Sequence, residues 1–183
     1  MEIPTELREN IKAYHTNTQK KCQEFLTGKM IISSDETFLG KGMYFWDNKA
    51  NANYWKGVRS RNTKEPVEMV SAQVYIDSML DLTDETVVSN IIRQWEKYCR
   101  KDNKKSSYKA KEKYKIGYVL DVLPVLNKIP VRRSVLNYTK GNNSLNYFAK
   151  QTNVCKATTT SRLIYSVIQD NVIVNRRAVK DDE

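Results

Sequence analysis

The chain has 183 residues and a net charge of +10, from 31 basic and 21 acidic side chains, with 40% apolar residues and eleven tyrosines. That length predicts one domain spanning 1–183, and the aromatic content excludes a disordered polyelectrolyte. Three scattered cysteines (Cys22, Cys99, Cys155) without a CxxC pair, beside a single histidine, exclude a zinc cluster, so no metal is expected.

No apolar run reaches membrane-spanning length and the first residues lack a signal-peptide core, which predicts a cytoplasmic protein with no membrane partner. Thr5 is placed to cap a first helix, and residues 12–16 then read as a strand carrying His15. A short amphipathic helix is predicted over Gln19–Leu26, with Cys22, Phe25 and Leu26 as its apolar face and Gly28 as its stop. The segment KMIISS reads as a strand and SDET as a turn.

Residues 39–55, LGKGMYFWDNKANANYW, gather two glycines, an Asp, three Asn and five aromatic rings. The pattern predicts a glycine turn, an aromatic strand and a surface helix carrying Tyr54 and Trp55. KGVRSRNTKEP reads as a basic loop. VEMVSAQVYI is apolar on both faces and reads as a strand covered on two sides. Val87, Val88, Ile91, Ile92, Trp95 and Tyr98 then form a helix stripe.

The most basic stretch runs from Arg100 to Lys115, where Lys104, Lys105, Lys109 and Lys111 interleave with Tyr108 and Tyr114. Lysines between aromatic rings suit phosphate contact with base stacking. Together with Arg132-Arg133 and the net charge, they predict a nucleic-acid partner, RNA slightly ahead of DNA. IGYVLDVLPVLNKIP reads as an apolar helix ended at Pro124, VRRSVLNY as a strand, and TKGNNSLNYFAKQTN as a polar loop. SRLIYSVIQDNVIVN reads as one long strand or two, followed by a frayed charged tail. Strands and short helices in this order predict an α+β fold.

Three places, Tyr14-His15-Thr16, Gly40-Lys41-Gly42-Met43-Tyr44-Phe45-Trp46-Asp47 with Asn51-Ala52-Asn53-Tyr54, and the terminal strand, together resemble the poly(ADP-ribose) polymerase branch of the ADP-ribosyltransferases. The matched motifs cover about a fifth of the chain. The resemblance implies a split β-sandwich with an NAD cleft, and NAD as co-substrate. It makes His15 a partner of the adenine-side ribose, the Thr16 backbone a clamp on the nicotinamide amide, and Tyr44 and Tyr54 the walls around that ring. Asn17, Gly42, Phe45 and Asn51 complete the implied cofactor set.

For catalysis the resemblance implies Tyr44 and an acid on the last strand, falling on Asp170 or, one residue earlier, on Gln169. Adjacent strand residues face opposite ways, so only one of the two can enter a cleft. Asp170 keeps the charge that stabilises an oxocarbenium ion, whereas Gln169 has the family's side-chain length without it. Gln169 at that position implies a weak enzyme or a chain in which Gln stands for Glu.

The implied activity is mono-ADP-ribosylation of nucleic acid by a toxin or phage-defence effector held in check by an antitoxin or inhibitor protein. Transfer to a host protein, and a catalytically silent module that binds NAD or nucleic acid on the same fold, are the alternatives.

Overall fold

The structure, a computed structural model, describes residues 8–33, 38–101, 115–137 and 161–180. Its elements run β1 (Asn10–Thr18), α1 (Gln19–Leu26), β2 (Met43–Trp46), α2 (Lys49–Asn62), β3 (Val67–Tyr75), β4 (Met79–Asp81), α3 (Glu85–Lys101), α4 (Ile116–Val122), β5 (Val131–Asn137), β6 (Ser161–Val167) and β7 (Ile173–Ala178). The strands form one seven-stranded sheet in the order β4-β5-β6-β2-β1-β3-β7. Only β4 and β5 are parallel; every other neighbouring pair is antiparallel. The architecture is α+β.

The sheet is covered on both faces because its strands alternate apolar residues onto each. One face holds Ala13, Met43, Phe45, Val70, Ala72, Tyr165 and Val167, sealed by Cys22 and Phe25 of α1. The other holds Trp46, Met69 and Ile164, packed with Ala52 of α2, Ile91 of α3 and Val119 and Leu120 of α4.

Local chemistry sets the helix ends. Helix α1 closes in a Schellman motif: Gly28, at φ 109°, donates to the Phe25 carbonyl at 3.0 Å, and Lys29 donates to the Glu24 carbonyl at 3.0 Å. Asn48 caps α2 by accepting from the Asn51 amide at 2.8 Å. At the start of α3, the Asp84 carboxylate accepts from the Thr86 amide at 2.7 Å.

Several expectations differ from what is found. By Asn10 the chain is already in β1, and the Thr5 start lies outside the described residues. The described residues of KMIISS contribute a single bridge, Ser33 to Gly42, instead of a strand. The basic stretch after Trp55 continues α2 to Asn62, since its charges sit on the solvent side of a helix and Gly57 faces open space. Arg176 and Arg177 belong to β7 and not to a frayed tail. Among the described residues, no helix is long and apolar enough to cross a membrane.

The β2–β6 seam is unusually close. A Cβ added at Gly42 would stand 2.1 Å from Ser166 Oγ and 3.0 Å from the Val167 carbonyl oxygen. Gly42→Ala therefore lowers stability by about 1–3 kcal/mol through overpacking. Ser166 Oγ is buried with no hydrogen-bond partner, so Ser166→Ala alone is nearly neutral. Combining the two substitutions restores part of the loss in thermal denaturation, and a double variant no more stable than Gly42→Ala would show that the seam is limited elsewhere.

Candidate functional site

Strands β1 and β2 pair in register at one position, Tyr14 opposite Trp46. Beyond it the seam is bridged by a side chain. His15 Nδ1 lies 2.6 Å from the Tyr44 carbonyl oxygen, and since a carbonyl only accepts, Nδ1 carries the proton. His15 Nε2 is then the acceptor for Asn17 Nδ2 at 3.2 Å. Asn17 Oδ1 in turn accepts from Arg59 at 2.8 Å and from the Thr18 amide at 3.0 Å. One hydrogen-bonded line thus runs from α2 through β1 to the backbone of β2.

Burial pushes the His15 pKa down from 6.5 to about 4; the Tyr44 carbonyl acts against that, and the charges of Arg59 and Lys21 add to it. The imidazole is neutral at pH 7, which the Nδ1–H tautomer requires.

Beside this line opens a cleft of about 540 Å³, within the range of small-molecule sites. His15, Thr16 and Asn17 from β1 and Tyr44 and Trp46 from β2 line it, with Trp55 and Arg59 of α2 and Lys21 of α1. Ile31, Ile32, Ser33 and Phe38 enter from the segment between α1 and β2, and Leu136 and Ile164 from β5 and β6. Trp46 and Trp55 stack with ring centres 5.5 Å apart and planes 15° from parallel. Phe38 and Tyr44 make a second aromatic pair with centres 6.2 Å apart.

Tyr44 is fixed at its far end. Its hydroxyl donates to the Gly40 carbonyl at 2.7 Å and accepts from the Leu39 amide at 3.1 Å. The Gly40 turn is clamped from the other side by Asp121, which accepts from the Lys41 amide at 2.9 Å and from Arg132 at 2.7 Å. Gly40, at φ +77°, has no room for a Cβ, which would lie 2.5 Å from Asp121 Oδ1.

Of the residues singled out from sequence, His15, Thr16, Asn17 and Tyr44 line the cleft. Gly42, Phe45, Asn51 and Tyr54 do not. Gly42 is consumed by the approach to Ser166, and Phe45 is fully buried against Phe25, because alternation sends it to the opposite face from Tyr44. Asn51 donates to Asp47 at 2.6 Å and accepts from Arg162 at 2.5 Å, in addition to its amide bond with Asn48. Tyr54 is exposed beneath Arg162, whose guanidinium carbon lies 4.6 Å from the ring centre; on α2 it is the next residue, Trp55, that turns to the cleft.

Gln169 and Asp170 also lie outside it. The apolar run is two strands, broken where the polar Gln-Asp-Asn sequence turns through a short 3-10 segment, Asp170–Val172. Gln169 donates to the Lys128 carbonyl at 2.9 Å, and Asp170 pairs with Arg176. Ile164, from the middle of β6, is the residue of this region that reaches the cleft.

The arginines expected to contact nucleic acid hold the fold together instead. Arg132, 1% exposed, donates to the Leu39 and Leu120 carbonyls and to Asp121. Arg133 Nε donates to Asp81 at 3.0 Å, and that guanidinium holds the Asp81 pKa down to about 2. Strand alternation explains the division, one arginine facing each side of β5. Lys104, Lys105, Tyr108, Lys109 and Lys111 lie outside the described residues.

Lys21, Trp55 and Arg59 are cleft residues to which the sequence motifs assign no role in the site. The available signal was the spacing of Trp55 and Arg59, four residues apart and hence on one helical face, which a loop assignment for 56–66 hides. Among the described residues, no group of His, Cys, Asp or Glu is arranged to hold a metal ion. No family model, no curated protein and no solved structure matches the chain.

Two outcomes follow from this geometry. His15 binds a proton more weakly folded than unfolded, so its contribution is complete above pH 6.5 and is lost as pH falls toward 4. The loss amounts to about 3 kcal/mol over that window, read as the difference between the stability–pH curves of the wild type and His15→Gln. Parallel curves would refute the buried neutral imidazole. For the terminal strand, Gln169→Glu brings no gain in NAD turnover over the unmodified chain, because residue 169 does not face the cleft; a clear gain would place it there.

Proposed function

We propose that the chain is an NAD-dependent mono-ADP-ribosyltransferase that binds NAD in the cleft beside the β1–β2 seam and uses nucleic acid as acceptor. The observation that carries this is a convergence. Two stretches set apart in sequence, Tyr14-His15-Thr16 and the Gly40–Asp47 run, are the ones the resemblance marks for an NAD site, and both contribute side chains to the same cleft. Its aromatic walls suit the flat nicotinamide and adenine rings, and its cations suit a pyrophosphate. In this reading the sheet corresponds to the ADP-ribosyltransferase-like sheet with its seam opened at β1 and β2.

Physical chemistry assigns the parts. The rings of Trp46, Trp55 and Tyr44 orient the cofactor and exclude water from the scissile nicotinamide–ribose bond, restricting the reacting groups to productive geometry. The His15 line keeps the β1 and β2 walls at a fixed separation. The net charge of +10 supports a polyanionic acceptor, in keeping with a toxin or defence effector that a protein partner neutralises.

A second reading is favoured by one observation: among the described residues, no Asp or Glu lines the cleft. A catalytically silent NAD-binding module needs no carboxylate there. The two are separated by titrating NAD calorimetrically while following nicotinamide release in the presence of RNA or DNA. Release with label transferred to nuclease-sensitive material supports the transferase; saturable binding without release supports the silent module. Absence of NAD binding would sink both. In either case Trp55→Ala weakens NAD binding by roughly tenfold, the loss of one stacked aromatic wall, measured in the same titration.

A further inference from the structure

Lys21 and Arg59 reach the end of β1 from two different helices, and both line the cleft. Neither has an acidic partner among the described residues. Lys21 makes no hydrogen bond or ion pair among the described residues, and Arg59 makes one hydrogen bond, to the neutral Asn17. The carboxylates closest in sequence and strand register are engaged elsewhere, Glu24 with Lys29 and Glu68 with Gln19. His15 between them adds no compensating charge. Two cations therefore face one aromatic-walled cavity with no carboxylate in its lining among the described residues. Elsewhere on this protein the pattern is the reverse: Arg8, Arg132, Arg133 and Arg176 each sit against an aspartate.

We propose that Lys21 and Arg59 form a phosphate-binding pair at the exposed edge of the cleft, which makes it selective for nucleotides carrying a pyrophosphate over the corresponding uncharged nucleosides. The aromatic rings take the base and the pair takes the anion. Asn17 presets the guanidinium, so little side-chain entropy is lost when the anion docks, and Arg59 keeps further donors for a forked contact that Lys21 complements as a point charge. The proposal deepens the NAD assignment, whose pyrophosphate supplies the anion, but it requires no transfer chemistry.

The test is calorimetric titration of the full chain with ADP, NAD, adenosine and free nicotinamide at two salt concentrations. ADP binds at least tenfold more tightly than adenosine at low salt, with the gap narrowing as salt rises. Lys21→Ala lowers ADP and NAD affinity by roughly tenfold and leaves adenosine unchanged, and Lys21→Arg retains most of the affinity. Lys21 carries the test because it makes no hydrogen bond or ion pair among the described residues. Arg59→Ala also cuts the line to His15, so its result is read beside its melting curve.

Equal affinities for ADP and adenosine, or unaltered NAD binding in Lys21→Ala, would overturn the phosphate pair while leaving the NAD assignment standing. Tight, Lys21-dependent ADP binding without NAD binding would support the pair and remove the NAD assignment. Binding of neither nucleotide would overturn both.

Discussion

The hydrogen bond from His15 Nδ1 to the Tyr44 carbonyl is the constraint around which the cleft is built. At the seam between β1 and β2 a backbone ladder would close the gap, and a missing ladder would leave buried carbonyls without partners. An imidazole inserted from β1 satisfies the carbonyl and leaves room beside it. Such an insertion holds only if the ring stays neutral and correctly protonated. Burial secures the first condition, and the amide of Asn17 secures the second by donating to Nε2. Asn17 is oriented in its turn by Arg59 and by the Thr18 amide. A buried polar network of this kind specifies one geometry because every member has its partner.

The other wall is built from backbone. Tyr44 points its hydroxyl into the turn formed by Leu39 and Gly40, and that turn rests on the Asp121–Arg132 pair. Arg132 is almost wholly buried, and its charge is tolerated because Asp121 lies 2.7 Å away and the Leu39 and Leu120 carbonyls accept from its two terminal nitrogens, although Nε is left without a partner among the described residues. A guanidinium suits this place better than an ammonium, since a planar fork reaches partners in three directions at once. The two glycines of the run then have separate causes: Gly40 adopts a positive φ against Asp121, and Gly42 lets β2 approach Ser166.

The sequence was legible where periodicity and local chemistry agree. The bounds of α1, the aromatic strand β2, the two-faced strand β3 and the long helix α3 follow from spacing, a glycine stop or an acidic first turn. It was less legible where a side chain's role depends on the partner across the sheet. Phe45 and Tyr44 are neighbours in one motif, yet alternation buries the first in the core and puts the second in the cleft. Asn51 has the chemistry of a ligand-binding amide, but Asp47 and Arg162 occupy it. The terminal apolar run could be read as one strand because Ile and Val dominate it. Its break comes at the polar Gln-Asp-Asn turn, where Asp170 also pairs with Arg176 on β7, a contact that composition does not show.

Charge teaches the same distinction more sharply. A net +10 points to an anionic partner, and the adjacent Arg132 and Arg133 look like its natural contacts. Both are instead internal ties, as are Arg8 and Arg176, each beside an aspartate. Counting basic residues therefore says how much positive charge there is without saying where it is uncompensated. That second quantity is the one an anion responds to, because a cation already paired at short range attracts little more. By this measure Lys21 and the Asn17-held Arg59 outweigh the two aspartate-paired arginines of β5, despite being farther apart in sequence. They also stand at the exposed edge of an aromatic-walled cleft, where a phosphate can reach both while its base meets the rings.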